Sequence, residues 1–364
     1  MAIRTDNITV TDKVFGPSFT RELLRWNEVE NNRQMPWKGE KDPYRIWLSE
    51  IILQQTRVDQ GLRYYERFIQ ALPTVHHLAK APEQEVFKLW EGLGYYSRCR
   101  NLIATAKFIV EECAGQFPEN YEGLLALKGV GPYTAAAIAS FAYNAHHAVL
   151  DGNVFRVLAR IYNDHTPIDS TEGKTLFAAK ALELLPSGSA GLYNQALMDF
   201  GATICKPVPE CARCFFNNKC RAFLQNCQAA LPVKEKKTAV RERWFHYVIL
   251  ESGGAIAIKQ RTAKDIWQNL FEVLLVEGET KLEKAELFSI LGASYGLEGR
   301  DLAVISSSGN TTQRLTHQFI YFSFLHLELP EKTPVPGYQW VAKADLATFA
   351  FPKTLQQFLS RNMG

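Results

Sequence analysis

Apolar residues recur at helical spacing over the longer, N-terminal part of the chain. The clearest stripe passes through Tyr44, Trp47, Leu48, Ile51 and Ile52, at i, i+3, i+4, i+7 and i+8, and this spacing predicts a helix with one buried face. The same periodicity predicts further helices in these segments: 19–26 behind a disordered tip, 64–109 with breaks at Pro73 and Pro82, 152–162, 175–185 and 193–202. This part of the chain is therefore expected to be mainly α-helical.

The periodicity changes from helix to strand near residue 244. Tyr247–Leu250 and Ala255–Lys259 flank a Ser-Gly-Gly turn, which predicts a β-hairpin. A helix is predicted at Leu282–Leu291 and a strand at Phe319–Leu329. The last part of the chain, residues 244–364, is thus expected to be a separate α+β domain.

A short polar and basic stretch, residues 231–243, separates the two parts. It contains five basic residues: Lys234, Lys236, Lys237, Arg241 and Arg243. We interpret this stretch as an interdomain linker that could also follow a phosphate backbone.

A glycine-rich turn, Gly129-Val130-Gly131, lies between two helical segments. Glycine accepts positive φ angles, so a tight turn here would bring backbone N–H groups close to an anion. Pro132 suits the first turn of the following helix, where no N–H is required. The stretch predicts a helix–hairpin–helix that binds phosphate, although such turns also join helices with no ligand.

Two carboxylates stand out by their surroundings. Glu50 lies beside the apolar stripe, where desolvation would raise its pKa and suit it to act as a general acid near neutral pH. Asp151 lies between an apolar lead-in and Gly152-Asn153, an unusual place for a residue that only packs. The alternatives are an exposed helix glutamate and a helix cap.

The composition is that of an ordinary globular protein. The chain has 364 residues, 46% of them hydrophobic, enough for two or three domains. No apolar run approaches the roughly 20 residues that span a bilayer, and the first fifteen residues lack the apolar centre of a signal peptide. A cytoplasmic location is expected. The net charge of +3 permits nucleic-acid binding if the basic surface is local.

Four of the seven cysteines are crowded into residues 205–220. They are Cys205, Cys211, Cys214 and Cys220, with gaps of five, two and five residues. Disulfides are not expected in the cytosol, whereas four close thiolates can bind zinc or a [4Fe–4S] cluster. The ligand type alone does not choose between the two metals.

Two stretches suit contact with DNA. Gln54-Gln55-Thr56 ends the Glu50 helix with uncharged groups that can bond base edges. Tyr95, Tyr96 and Arg98 follow two glycines and combine flat rings with a phosphate-binding side chain. Either stretch could instead be a helix end or a packed junction.

Taken together, these motifs resemble the helix–hairpin–helix DNA glycosylase superfamily, and in detail its adenine glycosylase branch, the MutY family. The resemblance rests on Ser49–Thr56, Gly92–Tyr96, the hairpin with Tyr133, and Leu150–Val154. It implies a helix–hairpin–helix catalytic region at residues 1–230 that includes the iron–sulfur segment. A MutT-like domain that recognises 8-oxoguanine would follow at residues 244–364.

The resemblance also implies residue roles. Glu50 would protonate adenine, and Asp151 would stabilise the sugar cation or trap it covalently, with Asn153 and Tyr133 in support. This division agrees with the two-carboxylate logic of glycoside cleavage.

Other roles implied by the resemblance concern DNA contact and the cofactor. Gln54, Gln55 and Tyr95 would intercalate around the base opposite the flipped adenine. The cysteines would hold a [4Fe–4S] cluster, although the family usually has six residues in the first gap.

The C-terminal reading loop would be Leu315-Thr316-His317, where the family often has Phe-Ser-His. Thr316 keeps the hydroxyl, and Thr316 and His317 would read 8-oxoguanine. The chain lacks a phosphohydrolase signature of the Gly-x5-Glu-x7-Arg-Glu type around residues 278–299, so we expect this domain not to hydrolyse nucleotides.

We therefore expect a monomeric adenine DNA glycosylase that acts on duplex DNA containing adenine opposite 8-oxoguanine or guanine. Tyr133 stands where the endonuclease III branch has a nucleophilic lysine, which favours a monofunctional enzyme with weak or no lyase activity. The alternatives are a bifunctional pyrimidine-lesion glycosylase and a cluster-bearing DNA-binding protein without activity.

Overall fold

The computed structural model describes residues 10–235 and 240–362, without the side chains of residues 10–15 and 310. The expected tip of the chain, together with Lys236 and Lys237 of the basic stretch, lies outside the described residues. The chain forms two compact units. The first runs from the start of the described chain to Lys80 and from Asn101 to residue 235, and the second takes Ala81–Arg100 and residues 240–362.

The first unit is helical, as the periodicity predicted. Its helices are α1 (Val10–Val29), α2 (Pro43–Leu53), α3 (Val58–Ala71), α4 (Val75–Lys80), the part of α6 (Ser97–Glu112) from Asn101 onward, α7 (Tyr121–Ala126), α8 (Pro132–Tyr143), α9 (Gly152–Tyr162), α10 (Thr171–Leu184), α11 (Ala190–Thr203) and α12 (Arg221–Leu224). Short 3-10 turns cover Cys211–Arg213 and Gln228–Ala230. The second unit contains α5 (Glu83–Trp90) and the first residues of α6.

Aromatic rings form the centre of the core that joins α1, α11 and the cysteine segment. Phe19 meets Phe216 edge to face at 5.0 Å, and Trp26 meets Phe200 in the same way at 5.4 Å. Edge-to-face pairs of this kind contribute about 0.5–1.5 kcal/mol each beyond their buried area. The cysteine segment is therefore packed onto the helical core.

The helix–hairpin–helix consists of α7, a tight turn and α8. Gly129 has φ +80°, and a Cβ there would lie 2.7 Å from the Cβ of Asn101. Glycine is thus required both by the backbone conformation and by the close approach of α6. Gly131 forms the N-cap of α8 and Pro132 its first residue, as predicted.

The second unit is built on a mixed β-sheet. Its strands are β1 (Arg241–Ser252), β2 (Ala255–Gln260), β3 (Phe271–Glu272), β4 (Leu274–Gly278), β5 (Ala303–Arg314), β6 (Gln318–Glu328) and β7 (Gln339–Ala342). The order is β3-β2-β1-β6-β5, with β4 paired to β1 and β7 to β2, and β1 runs parallel to β6. Two further helices are α13 (Lys284–Tyr295) and α14 (Lys353–Asn362), and a 3-10 helix covers Lys343–Thr348.

The predicted hairpin, helix and strand of this region are present as β1–β2, α13 and β6. Gly253 and Gly254 both have positive φ at the β1–β2 turn, which is the conformation of a two-residue hairpin loop. Helix α13 carries one carboxylate, Glu286, and its side chain accepts a hydrogen bond from the backbone of Glu283 at the helix start.

Two details differ from the predicted domain plan. Arg241 and Arg243 belong to β1, and Arg243 is buried and paired with Asp265 and Glu277 at 2.7 Å, so it is not a linker residue. Residues 81–100 belong to the second unit, because Arg100 donates to the Gln268 carbonyl at 3.1 Å and neighbouring side chains make similar contacts.

Among the described residues, no helix combines the length and the apolar character needed to cross a bilayer.

Candidate active site

Three predicted site residues from separate helices meet in one cleft of the first unit. The cleft has a volume of about 600 Å³ and is lined by Glu50 of α2, Tyr133 of α8 and Asp151 at the start of α9. The glycine-rich turn sets the direction of α8, and the cap at Asp151 sets the start of α9. The hairpin therefore brings together residues that are 101 positions apart in sequence, between Glu50 and Asp151.

Glu50 is the buried carboxyl group of the cleft, with 6% of its surface exposed. Burial raises its pKa to about 7, a hydrogen bond with Tyr133 lowers it, and the nearby charge of Asp151 raises it. Desolvation dominates because the charged form loses its water on an apolar helix face. Glu50 can thus hold a proton near neutral pH and release it to a bound group.

Tyr133 supports Glu50 from α8. Its hydroxyl forms a hydrogen bond with the Glu50 side chain and lies 3.7 Å from Met198 Sδ. Burial, followed by the charges of Glu50 and Asp151, raises the pKa of Tyr133 well above its ordinary value. Tyr133 remains a neutral phenol that orients the Glu50 carboxyl group.

Asp151 is the N-cap of α9, and its two oxygens accept separate hydrogen bonds. Oδ1 accepts from the Val154 backbone N–H at 2.7 Å, and Oδ2 accepts from Asn153 Nδ2 at 2.6 Å. Burial raises its pKa, whereas the two hydrogen bonds lower it. Asp151 can therefore be both a helix cap and a functional residue, because capping fixes the position of a carboxylate that lines the cleft.

Two arginines on α9 connect this site with the cysteine segment. Arg156 donates to Asn153 Oδ1 at 2.7 Å and to the carbonyl of Cys205 at 2.8 Å. Arg160, 2% exposed, donates to the Lys206 and Pro207 carbonyls at 2.6 and 2.8 Å. These hydrogen bonds hold the loop that begins at Cys205 against α9, the helix that Asp151 caps.

The four predicted metal ligands line one cavity together. Cys205, Cys211, Cys214 and Cys220 all face it, with Arg160 beside them. Among the described residues, no three Cys, His, Asp or Glu side chains converge closely enough for a single ion. Four thiols around one shared space are a donor set that either zinc or an iron–sulfur cluster accepts.

Several of the predicted DNA contacts lie at the cleft and the hairpin. Gln54, Gln55 and Thr56 line the cleft next to Glu50. Gln55 adopts φ +55°, which turns the chain sharply at the end of α2. Gly129 lies on the exposed surface of the hairpin and Gly131 is partly exposed, so both are accessible to a phosphate.

Other predicted contacts meet in the second unit. Tyr95 is 44% exposed, has φ +47°, and forms a hydrogen bond through its hydroxyl with Thr316. Thr316 and His317 are exposed at the tip of the β5–β6 hairpin. The predicted intercalating residue and the predicted reading loop are therefore neighbours.

Two predicted DNA contacts need correction. Tyr96 is 5% exposed and its hydroxyl accepts a hydrogen bond from the Gly92 N–H at 3.1 Å. Arg98 is 8% exposed, and its guanidinium stacks 5.1 Å from the Trp90 ring and 5.5 Å from the Tyr95 ring. Both side chains are used for packing, and Arg98 is not presented to a phosphate.

The sequence reasoning missed part of the cleft wall. Arg33 and Trp37 line the cleft. Asp199, fully buried on α11, pairs with Arg33 at 2.8 Å and with Lys38 at 3.0 Å. The sequence contained one signal of this ion pair, namely a carboxylate inside the apolar run of α11, because a buried charge requires partners.

Comparison with family models gave two matches. The model described as HhH-GPD superfamily base excision DNA repair protein matches residues 48–183, and the model described as NUDIX domain matches residues 246–361. The first match includes Glu50, Tyr133 and Asp151 of the cleft, and the second covers most of the sheet of the second unit.

Similar curated proteins have the name adenine DNA glycosylase. One from Buchnera aphidicola (subspecies Schizaphis graminum) is 34% identical over 256 residues, which cover 70% of this chain and 73% of the relative. One from Rattus norvegicus is 42% identical over 383 residues, covering 89% of this chain and 74% of the relative.

Two similar solved structures each superpose on more than half of this chain. A thermostable thymine-DNA glycosylase superposes with a TM-score of 0.54 at 28% identity and covers 58% of this chain and 98% of its own. An endonuclease III trapped as a covalent intermediate with DNA superposes with a TM-score of 0.50 at 19% identity, covering 57% and 94%. The second likeness supports the fold alone.

Proposed function

The chain belongs to the family of adenine DNA glycosylases, and we propose that it excises adenine opposite 8-oxoguanine or guanine in duplex DNA during base excision repair. It would hydrolyse the N-glycosyl bond of an adenine flipped out of the helix. The observation that carries this proposal is the presence of two carboxyl groups in one cleft. Glu50 is buried and has a pKa of about 7, and Asp151 is fixed by its hydrogen bond at the start of α9.

The first step would be protonation of the leaving base. Adenine is a poor leaving group until its ring is protonated, and Glu50 can donate that proton because its acid form is populated near neutral pH. Tyr133 would hold the carboxyl group in position through its hydrogen bond. Loss of the protonated base then leaves positive charge on the sugar.

Asp151 would stabilise that charge as the bond breaks. The hydrogen bonds from Val154 and Asn153 fix the carboxylate before the reaction, so little reorganisation is needed when the oxocarbenium ion develops. Arg156 would contribute indirectly, because its hydrogen bond holds Asn153 in place. Water or Asp151 itself would then attack the sugar, as in the two-carboxylate glycosidases.

DNA would be held on several surfaces. The exposed hairpin glycines offer backbone N–H groups to a phosphate, and Gln54 and Gln55 at the cleft can bond base edges. The cleft volume of about 600 Å³ is sufficient for a flipped base.

The deciding experiment is adenine release in single turnover from duplexes with 8-oxoguanine, guanine or thymine opposite the adenine. Slow release from all three duplexes would contradict the proposed substrate.

The four cysteines would hold a [4Fe–4S] cluster, which when bound would cross-link the loop 205–220 through four thiolates. We expect purified protein to be brown, with broad absorbance in the visible range and about four irons per chain. Iron and zinc analysis of the same sample checks this. A colourless protein with one zinc per chain would show that the cluster assignment is wrong.

We propose that the enzyme is monofunctional because Tyr133 offers no amine to the sugar. Tyr133→Lys should introduce trapping of a Schiff base by borohydride on DNA, since the position faces the cleft. Wild type serves as the control, because Lys128 lies on the exposed part of the hairpin. Efficient trapping in the wild-type protein would favour the bifunctional alternative.

Recognition of 8-oxoguanine would use Thr316 and His317 together with Tyr95. The oxidised base differs from guanine by an N7–H donor and an O8 acceptor, so one or two contacts could supply about 1–3 kcal/mol of discrimination. Changing Thr316 and His317 together to Ala should therefore lower the preference for 8-oxoguanine over guanine by about tenfold, with basal excision retained. The exposed Thr312→Ala on the same hairpin is the matched control. An unchanged preference ratio would exclude this role.

A further inference from the structure

Two methionines line the catalytic cleft of the first unit. The sequence contains four methionines, and of these Met35 and Met198 border the cleft, whereas Met1 and Met363 lie outside the described residues. Met198 belongs to α11 and is partly exposed. A thioether at an open cleft is accessible to small oxidants, and none of the catalytic steps proposed above uses either sulfur.

Met198 lies next to the residue that supports the catalytic acid. The Tyr133 hydroxyl can donate to Met198 Sδ, which is 3.7 Å away, and the same hydroxyl forms a hydrogen bond with the Glu50 side chain. Tyr133 has one hydroxyl proton, so it cannot donate to both groups at once. The direction of this single proton therefore couples the sulfur of Met198 to the carboxyl group of Glu50.

The reduced thioether leaves this proton to Glu50. A thioether is a weak acceptor and a carboxylate is a strong one, so Tyr133 donates to Glu50 whenever that group is charged. This donation lowers the pKa of Glu50 against the larger effect of burial, which raises it. A stronger acceptor in the place of the thioether would remove the donation.

Other charged groups near Glu50 either have partners of their own or lie outside the cleft. Asp151 raises the pKa of Glu50 through its charge and is itself held as the cap of α9. Arg33 lines the cleft but is paired with Asp199 at 2.8 Å. The start of α3, which packs beside α2, carries two charged residues that are exposed and do not line the cleft, Arg57 and Asp59. Tyr133 remains as the neighbour whose hydrogen bond can be redirected.

We propose that Met198 is an oxidation site through which a hydroperoxide changes the catalytic acid. The O–O bond of the peroxide breaks, one oxygen bonds to the thioether sulfur, and the other takes the hydroperoxide proton and leaves as water or an alcohol. The sulfur loses two electrons, and the peroxide gains them.

The new oxygen projects from the sulfur by one bond length. It can therefore reach the ordinary O–H···O distance of about 2.7–2.8 Å from the Tyr133 hydroxyl. The sulfoxide accepts the phenolic proton, and the charged form of Glu50 loses its donor. This effect rests on the proposed function, because it takes Glu50 as the acid.

The pH dependence of the full-length protein, before and after treatment with tert-butyl hydroperoxide, tests the proposal. Oxidation of Met198, followed by peptide mass, should move the alkaline midpoint of adenine release up by about one pH unit, because Glu50 loses a hydrogen bond to its charged form. The plateau rate at low pH should fall about threefold, since a weaker acid donates its proton less readily. Methionine sulfoxide reductase should reverse both changes.

Methionine variants assign the effect to one sulfur. Met198→Leu keeps the approximate size of the side chain without an oxidisable sulfur, so peroxide should not move its midpoint. Met35→Leu, the matched control at the same cleft, should respond like wild type. Both variants keep all seven cysteines, so an effect of oxidised thiols would appear in both. The proposal is wrong if Met198→Leu shifts equally, if Met198 resists oxidation, or if the midpoint of the oxidised wild type is unchanged.

Infrared spectroscopy separates this role of Met198 from the proposed function. The band of the protonated carboxyl group, identified by its loss in Glu50→Gln, gives the pKa of Glu50 without any DNA. Oxidation should raise the midpoint of this band by about one pH unit. A raised midpoint in a protein that releases no adenine would contradict the proposed function alone. Adenine release with an unchanged midpoint would contradict the role of Met198.

Discussion

Glu50→Gln should lower the rate of adenine release in single turnover by about a thousandfold, while affinity for the duplex is retained. The amide keeps the size of the side chain but cannot donate the proton, and general acid catalysis contributes about 10²–10⁴-fold. Duplex titration measures binding and quenched-flow sampling measures release. Glu66→Gln, an exposed substitution on α3, is the matched control and should leave both unchanged.

The pH profile of the wild-type enzyme should identify the same group. The pKa of Glu50 is raised to about 7 by burial, so the acid form is populated below that value and lost above it. The rate should therefore fall about tenfold per pH unit above about 7. A residual rate within about tenfold of wild type in Glu50→Gln, or a profile flat through pH 7, would remove Glu50 from the role of acid.

Asp151→Asn should reduce the rate by about 10²–10³-fold through loss of the anion that faces the developing sugar cation. Asparagine is as good an N-cap as aspartate, so the thermal midpoint should change little. The amide does, however, have a single oxygen for two donors, Val154 N–H and Asn153 Nδ2. Thermal melts together with single-turnover rates separate the lost charge from a lost cap.

The matched control for this substitution is Asp42→Asn. Asp42 is the N-cap of α2 and accepts a hydrogen bond from the Tyr44 N–H at 2.9 Å, but it does not line the cleft. Its replacement makes the same chemical change at another helix start and should leave the rate within about twofold. A similar loss of rate in both variants would indicate that helix capping, and not charge, explains the effect of Asp151.

The elements of the catalytic cleft could be predicted from sequence because their determinants are local. The apolar stripe of α2 depends on residues within three turns, and the hairpin depends on Gly129, Gly131 and Pro132 in adjacent positions. The positions of Glu50 and Asp151 along their helices follow from such local signals. Their meeting in one cleft required the resemblance to a known family.

The sequence prediction failed where a side chain has two equally plausible environments. Arg98 and Tyr96 lie in a motif that suits DNA, but tertiary packing places Arg98 on two aromatic rings and buries Tyr96. The partner of Arg33 could not be predicted either, since Asp199 is 166 positions away in sequence. Long-range ion pairs leave no periodic pattern that a single sequence can display.

Strand β1 illustrates the same difficulty at a boundary. Arg241 and Arg243 belong by composition to the basic stretch, yet Arg243 is buried between Asp265 and Glu277 in the sheet. A buried arginine is stable only with such partners. Because both carboxylates lie more than twenty residues downstream, charge composition alone indicated a linker.

The membership of residues 81–100 in the second unit limits the modularity of this protein. Lys88 donates to the Phe349 carbonyl at 3.0 Å, and Glu91 accepts from the Phe351 N–H at 2.9 Å. A fragment that begins after the linker would lack these partners and would also lack Tyr95, the partner of Thr316. Exchanging the C-terminal region between two glycosylases would therefore transfer half of the proposed reading surface, and we expect a working chimaera to need residues 81–100 from the same parent.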